Sequence, residues 1–169
     1  DGRDGMLRHV RGFHEAGVPC VFDPGQGMPL FSGEELLECV HKSRYVILND
    51  YEAELLQART GENLATLARH VEALIVTRGA EGSVIHAAGG QIDIPAARPA
   101  AILDPTGCGD AYRSGILYGI THGLDWETSG RLGSLMGAIK IAQRGGQNHR
   151  PGRDEIASEF HAQFGYHYK

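Results

Sequence analysis

The sequence reads Asp104-Pro105-Thr106-Gly107-Cys108-Gly109-Asp110 and continues at once into a helical pattern at residues 111–117, Ala-Tyr-Arg-Ser-Gly-Ile-Leu. The two glycines let the backbone amides turn inward where the helix begins. Unpaired N–H groups and the positive end of the helix dipole make such a position favourable for an anion. The segment therefore predicts a site for an anion such as phosphate at the entrance to a helix.

Asp110 ends this segment and would lie beside the bound anion. A carboxylate at that point suits a group that accepts a proton from an attacking hydroxyl. The alternative is that Asp110 only caps the helix, because aspartate is among the preferred capping residues. The segment alone does not separate a catalytic base from a helix cap.

Upstream of this segment, the apolar residues alternate between helical and strand spacing. Leu7, Val10 and Phe13 recur at helical intervals, and Ser32 with Glu35 has the pattern of a capping box. The pattern predicts four helices: residues 6–16, a helix that begins after Ser32, residues 52–59, and a helix from Asn63 through Val71. The predicted strands are residues 18–22, 45–48 and 74–77. Helices alternating with strands indicate an α/β protein with a parallel sheet covered on both faces.

The pattern changes after Gly79. Residues 83–86 and 91–94 flank the turn 87–90 and predict an antiparallel hairpin at the edge of the sheet. Residues 111–143 are predicted to be mostly helical with a break at 123–125, and a last helix follows Pro151.

The composition narrows the classes of partner. The chain has 169 residues, of which 41% are hydrophobic and 22% charged, with a formal charge of -5. No basic run is present, so nucleic acid is not expected as a partner. No apolar stretch approaches the ~20 residues of a membrane span, and the first residues lack the features of a signal peptide. We expect a cytoplasmic protein without a membrane partner, and we expect a chain beginning at Asp1 to belong to a longer polypeptide.

Two further motifs follow predicted strands. Asn49-Asp50-Tyr51-Glu52 and Thr77-Arg78-Gly79-Ala80-Glu81-Gly82 both come where a strand ends, and α/β proteins bind ligands at the carboxyl ends of their strands. Thr77 offers a hydroxyl donor, and the glycines permit close approach of the backbone to a ligand. The alternatives are that the first motif is a helix cap and the second only a turn.

Together, the three motifs resemble the ribokinase (PfkB-type) family of carbohydrate and nucleoside kinases, whose signature is Asp-Thr-x-Gly-Ala-Gly-Asp. The resemblance implies that the amides of Gly107, Cys108 and Gly109 form an anion hole and that Asp110 is the catalytic base. The sequence departs from the signature at Pro105, where Thr is usual, and at Cys108, where a small residue such as Ala is usual. We interpret Cys108 as a small structural residue and not as a nucleophile, because no base is evident beside it.

The other two motifs are similar to family elements that bind the nucleotide. The resemblance implies that Asn49 and Glu52 order Mg²⁺ and its waters around the ATP phosphates, with Glu52 acting indirectly. It implies that Thr77, Gly79 and Gly82 form the nucleotide loop.

Three further assignments rest on the same resemblance. Ser134 corresponds to an adenine-facing position, and backbone oxygens of Asp104 and Thr106 correspond to ligands of K⁺. The segment 142–149 resembles the part of the family fold beside the adenine and the monovalent cation.

The family implies a ribokinase-like, three-layer α/β/α fold, of which residues 1–169 would be the C-terminal nucleotide-binding and catalytic part of a single domain. The N-terminal part and the lid would be absent, and any homodimer would form through that lid. The implied function is ATP-dependent phosphoryl transfer to a hydroxyl of a small molecule. Overall similarity to the bacterial adenosine and nucleoside kinase-like members favours a nucleoside such as adenosine. The alternatives are a sugar kinase acting on ribose, fructose or a fructose phosphate, and a nucleotide-binding fragment without catalysis.

Overall fold

The computed structural model of the protein describes residues 2–168. The helices in this part of the chain are α1 (Arg3–Glu15), α2 (Gly33–Lys42), α3 (Asp50–Thr60), α4 (Leu64–Leu67), α5 (Cys108–His122), α6 (Trp126–Ile141) and α7 (Arg153–Phe164). The strands are β1 (Val21–Phe22), β2 (Tyr45–Asn49), β3 (Ala73–Thr77), β4 (Ser83–Ala87) and β5 (Gly90–Ile94). Short 3-10 helices lie at Gly25–Leu30, Ala68–His70 and Gly79–Glu81.

The chain forms two compact units. The first unit comprises Asp1–Arg78 and Val84–Gln91, and the second comprises Gly79–Ser83 and Ile92–Lys169.

The five strands form a sheet in the order β1-β2-β3-β4-β5. β1, β2 and β3 pair in parallel, with Tyr45 opposite both Val21 and Ala73. Residues 45–48 and 73–76 are buried without alternation, as expected for parallel strands that are covered on both faces. The predicted parallel sheet is therefore confirmed.

The hydrophobic core of the first unit lies between these strands and their helices. Leu7 and Val10 of α1 and Leu36 and Val40 of α2 pack into it together with Val46 and Leu48 of β2 and Leu74 and Val76 of β3. Phe13 was predicted on the same face of α1, but 44% of it is exposed. The buried face of α1 is therefore shorter than its apolar spacing indicated.

Helices α2 and α4 of the first unit begin at side chains that accept backbone N–H groups. Ser32 starts α2 through the predicted capping box with Glu35, and Asn63 starts α4 by accepting from Thr66 N. Each interaction satisfies a backbone donor that the helix itself leaves unpaired.

The edge hairpin is tighter than predicted. Only Ala88 and Gly89 separate β4 from β5, so these neighbouring strands run antiparallel. Ala88 has φ 49° and Gly89 has φ 75°, and positive φ at both central positions is typical of a type I′ turn. The predicted four-residue turn at 87–90 was wrong, because Ala87 and Gly90 continue the strands.

In the second unit, α5 and α6 pack backbone against backbone. A Cβ atom on Gly115 would lie 2.5 Å from Gly133 N, and one on Gly119 would overlap the side chain of Ser129. Phe160 of α7 is completely buried in a cluster that includes Leu132 and Leu135 of α6. Small residues on the facing surfaces thus set how closely α5 and α6 approach each other.

Several predicted boundaries differ from the structure. The strand predicted at 18–22 is only Val21–Phe22, because its partner β2 begins at Tyr45, opposite Val21. Val71 was predicted to be helical, but a 3-10 turn at Ala68–His70 ends the helix, and Val71 has an extended φ of -128°. The helix predicted from 111 begins at Cys108, so Asp110 lies inside it.

Within residues 2–168, none of the helices has the length and apolar character needed to span a bilayer.

Candidate active site

The entrance of α5 is shaped by Gly107. This residue is the N-cap of α5 with φ 84°, and a Cβ atom at this position would lie 2.8 Å from the carbonyl oxygen of Gly146. Glycine is required here for both its conformation and its lack of a side chain. No side chain caps the helix, so backbone amides are left at its start.

The amides of Gly107, Cys108 and Gly109, which were predicted to bind an anion, differ in their hydrogen bonding. The first helical bond runs from Ala111 N–H to Gly107 O, and Cys108 N–H donates to Pro105 O at 3.1 Å. Gly107 and Gly109 have no backbone acceptor for their N–H groups among residues 2–168. Of the three predicted amides, that of Cys108 is therefore already engaged within the turn.

Asp110 is exposed in the first turn of α5. Gly107 occupies the capping position, so Asp110 is not the N-cap and the capping explanation for this residue was wrong. Within the described residues, no hydrogen bond or ion pair engages its carboxylate, which can therefore accept a proton from a bound hydroxyl.

Asp104 ties the loop before α5 to the loop after α6. Its carboxylate accepts from Thr106 N at 2.9 Å and from Gly145 N at 2.8 Å. These two backbone hydrogen bonds lower the pKa of Asp104 from its ordinary value of 3.8 to about 2. The carboxylate is therefore committed to holding the loops.

Lys140 also contacts this loop, a role that the sequence analysis did not predict. Its side chain is fully buried near the end of α6, where its Nζ donates to the carbonyl oxygens of Asp104 at 2.8 Å and Gln143 at 3.0 Å. The one available signal was a lysine between Ile139 and Ile141 in a helix.

The Cys108 thiol lies beneath the turn, with its Sγ 4.0 Å from the Asp104 carbonyl oxygen. Burial raises the pKa of Cys108. A raised pKa keeps the thiol protonated at neutral pH, which supports the interpretation of Cys108 as a structural residue.

In the first unit, Asn49 and Glu52 lie where β2 passes into α3. Asn49 Oδ1 accepts from Glu52 N and Glu52 Oε2 accepts from Asn49 N, both at 2.8 Å, which completes a capping box. Asn49 and Glu52 therefore cap the helix, as the structural alternative predicted. The box uses the only side-chain oxygen of Asn49 and one of the two carboxylate oxygens of Glu52. Thr77 lies directly opposite Asn49 in the register of β2 and β3, so the two strand-end motifs meet at the carboxyl edge of the sheet.

The predicted nucleotide loop contains residues with different roles. Thr77 Oγ1 donates to Leu48 O at 3.3 Å. Gly79 has φ 56° with open space beside it, whereas a Cβ atom on Gly82 would overlap the Ile94 carbonyl. Gly82 is therefore explained by packing against β5, and only Gly79 leaves room for a ligand to approach.

The loop is joined to α5 within the second unit. The hydroxyls of Ser83, which directly follows Gly82, and Tyr112 lie 2.7 Å apart. Ser83 is fully buried, and burial raises the pKa of Tyr112 to about 12. This buried contact attaches the end of the loop to α5, at a residue two positions after Asp110.

Ser134 does not present a free hydroxyl. Its Oγ accepts from Ala97 N at 2.7 Å and donates to Pro95 O at 2.9 Å. The structure gives this residue a role in holding the segment after β5, and its predicted contact with adenine gains no support from these bonds.

Comparison with known proteins gives matches to one family. A model of the pfkB family of carbohydrate kinases matches residues 6–153. The nucleoside kinase of Methanocaldococcus jannaschii is 35% identical over 135 residues, which cover 80% of this chain and 45% of that protein. A fructokinase of Escherichia coli is 30% identical over 168 residues, covering 90% of this chain and 52% of that protein. The chain thus spans about half the length of the curated relatives it matches.

Solved structures agree with these matches. The nucleoside kinase of Burkholderia thailandensis in complex with inosine is 50% identical, with a TM-score of 0.96 over 98% of this chain and 55% of that chain. A second structure of the same kinase is a complex with ADP-inosine. The M. jannaschii nucleoside kinase, an archaeal member of the ribokinase family, has a TM-score of 0.83 at 32% identity, over 86% of this chain and 49% of that chain. The predicted ribokinase-like, three-layer α/β/α fold class is therefore confirmed.

Proposed function

Because the chain belongs to the pfkB family of carbohydrate kinases, we propose that it carries the nucleotide-binding and catalytic part of an ATP-dependent kinase whose acceptor is a nucleoside. The observation that carries this proposal is the exposed, unengaged carboxylate of Asp110 in the first turn of α5. The amides of Gly107 and Gly109 at the same helix start supply donors for a phosphoryl group.

In the proposed reaction, the oxygen of the acceptor hydroxyl attacks the γ-phosphorus of ATP, and Asp110 accepts the proton of that hydroxyl. A bond forms between that oxygen and phosphorus, the bond to the β-phosphate oxygen breaks, and ADP leaves. The Gly107 and Gly109 amides stabilise the charge on the transferred group. The Cys108 N–H already donates to the Pro105 carbonyl, so it could reach the transferred group only as a donor shared between two acceptors.

Asn49, Thr77 and Gly79 are proposed to contact the nucleotide. The register that places Asn49 opposite Thr77, and the open space beside Gly79, support this assignment. Gly82 is proposed to act by holding the loop against β5, and Ser134 by positioning the backbone near an adenine.

Mg²⁺ fits the donors at Asn49 and Glu52. This ion prefers oxygen ligands and keeps several waters, and Glu52 retains a carboxylate oxygen outside the capping box. Among residues 2–168, no three acidic, cysteine or histidine side chains converge on one point. Bound Mg²⁺ would neutralise phosphate charge, with Asn49 and Glu52 reaching it through waters.

The K⁺ expected at Asp104 and Thr106 is not part of the proposal, because the ammonium group of Lys140 already contacts the Asp104 carbonyl.

The nucleoside preference rests on relatives. Two nucleoside kinases match at 50% and 35% identity, against 30% for the E. coli fructokinase, and one of them has been solved with inosine. We therefore propose a purine nucleoside such as inosine or adenosine as acceptor. A hexose acceptor is the second candidate and is favoured by the fructokinase match. A cytoplasmic location and a lid-mediated homodimer stay predictions.

Replacing Asp110 tests the proposed mechanism. Asp110→Asn keeps the size of the side chain but removes the base, so we expect turnover of the complete polypeptide to fall by roughly 10²–10⁴-fold. Asp154→Asn is the matched control, because Asp154 is also an exposed acid in a first helical turn, that of α7. Calorimetric titration with ADP should show that Asp110→Asn still binds nucleotide. Retention of most turnover by Asp110→Asn would show that the base has been assigned wrongly.

A further inference from the structure

Lys140 carries a positive charge in the interior of the second unit. Its side chain has no solvent exposure, although it lies in α6 only one residue before the helix ends at Ile141. Burial removes the hydration shell of an ammonium group, which is strongly unfavourable unless protein atoms replace it. A lysine in this position therefore needs a specific set of partners.

The hydrogen-bond partners of Lys140 are backbone carbonyl oxygens. Nζ donates to Asp104 O and Gln143 O. Its charge also helps to lower the pKa of Asp104, but within residues 2–168 it forms no ion pair with a carboxylate. Carbonyl oxygens that replace a hydration shell are also how proteins hold a bare monovalent cation. The end of α6 adds the negative pole of the helix dipole, which favours a cation at this position.

The contacts of Lys140 lead to the entrance of α5. The Asp104 carbonyl is bound by Nζ, while the Asp104 carboxylate holds Thr106 N and Gly145 N. The Cys108 thiol approaches the same Asp104 carbonyl. One buried ammonium thus fixes the loop that precedes Gly107 to the loop that follows α6.

We infer that the ammonium group of Lys140 is a built-in monovalent cation, which takes the place that the sequence resemblance assigned to K⁺ at the Asp104 carbonyl. Lys140 is a positioning residue that holds the turn from Asp104 to Gly107, and the protein has no requirement for K⁺. The consequence for stability follows from these contacts alone, whereas the consequence for catalysis rests on the proposed function.

Thermal unfolding of the complete polypeptide in different chloride salts tests this inference. The wild-type Tm should be the same in potassium, sodium and tetramethylammonium chloride at equal ionic strength. Lys140→Met keeps an unbranched side chain that is one atom shorter and removes the charge, so its Tm should fall by roughly 5 °C in tetramethylammonium chloride. Potassium chloride should restore much of that loss, because K⁺ can enter the space left among the carbonyls.

Lys42→Met is the matched control. Lys42 also lies in the last turn of a helix, but its side chain is part-exposed and pairs with Glu38 at 3.6 Å. This variant should show no preference for potassium over tetramethylammonium. The comparison separates filling of the Lys140 site from a general effect of salt on a lost lysine.

A K⁺-specific rise in the wild-type Tm would overturn the inference, because it would reveal a separate cation site. An unchanged Tm for Lys140→Met in every salt would overturn it as well. If Lys140→Met does not fold in any of the three salts, the wild-type Tm values in those salts still test the inference.

In assays of turnover, K⁺ should raise kcat for Lys140→Met on the order of 10²-fold and leave the wild-type value unchanged. Absence of any turnover would count against the proposed function and leave the unfolding result standing.

Discussion

Asp104 uses both oxygens of its carboxylate to hold backbone amides from two loops, those of Thr106 and Gly145. The loop that leads into the proposed anion site at the start of α5 is thus held by a neighbouring acid to which we assign no chemical step. Such supporting residues matter because small displacements of catalytic groups reduce rates strongly.

The lowered pKa of Asp104 predicts a specific dependence of stability on pH. A carboxyl whose pKa falls to about 2 on folding, from an ordinary 3.8, stabilises the protein fully above pH about 4. That contribution is lost as the pH falls towards 2. Asp104→Asn should therefore be less stable than wild type at neutral pH, with the difference shrinking between pH about 4 and 2.

Urea unfolding across this pH range measures the effect. Asp154→Asn, a change at an exposed acid of α7, serves as the control and should follow the wild-type curve. Curves for Asp104→Asn and wild type that stay equally far apart down to pH 2 would contradict the role given to these hydrogen bonds.

At the level of elements, the position of Asp110 is set by how closely α5 packs against α6. Gly115 and Gly119 face Gly133 and Ser129, so the helix backbones touch. Because Lys140 is on α6 and Asp110 is on α5, this packing links the buried cation to the proposed base.

Enlarging Gly115 should disturb this packing. The Cβ atom of Gly115→Ala would lie 2.5 Å from the backbone nitrogen of Gly133, which cannot move like the end of a side chain. We expect a loss of about 1–3 kcal/mol in the free energy of unfolding, as is typical of overpacked cores. Denaturant unfolding measures it.

Gly12→Ala is the matched control, since Gly12 is an exposed residue within α1 and a Cβ atom placed on it would have no neighbouring atom within 4 Å. Alanine there should raise the free energy of unfolding by about 0.5–1 kcal/mol. Equal effects of the two substitutions would show that α5 and α6 tolerate separation.

Local signals predicted most elements well and their limits less well. Ser32 and Asn63 marked helix starts because capping depends on neighbouring residues only. The length of β1 depends on where β2 begins, which the residues 18–22 do not encode. The tight hairpin turn was missed because Ala88 adopts a positive φ that alanine rarely takes.

The same distinction holds for the candidate site. The sequence located the glycines and Asp110 because a loop that enters a helix has a local pattern. It missed Lys140, whose partners are backbone carbonyls brought to it by folding. It also could not show that the Ser134 hydroxyl is occupied by the backbone at Pro95 and Ala97.

On the scale of the whole molecule, the chain supplies about half the length of its curated relatives. The residues proposed for phosphoryl transfer lie within it, while the identity of the acceptor is inferred from the relatives. The structure and the comparisons therefore support the reaction class more directly than the substrate.

The most direct test of the central claim is to follow transfer of the γ-phosphoryl group of ATP by the complete polypeptide with Mg²⁺, offering inosine, adenosine, ribose and fructose separately. We expect a nucleoside monophosphate from inosine or adenosine, little product from either sugar, and none from residues 1–169 assayed alone. ATP binding without transfer to any acceptor would contradict the proposed kinase and favour a nucleotide-binding protein, and preferential phosphorylation of fructose would contradict the nucleoside assignment.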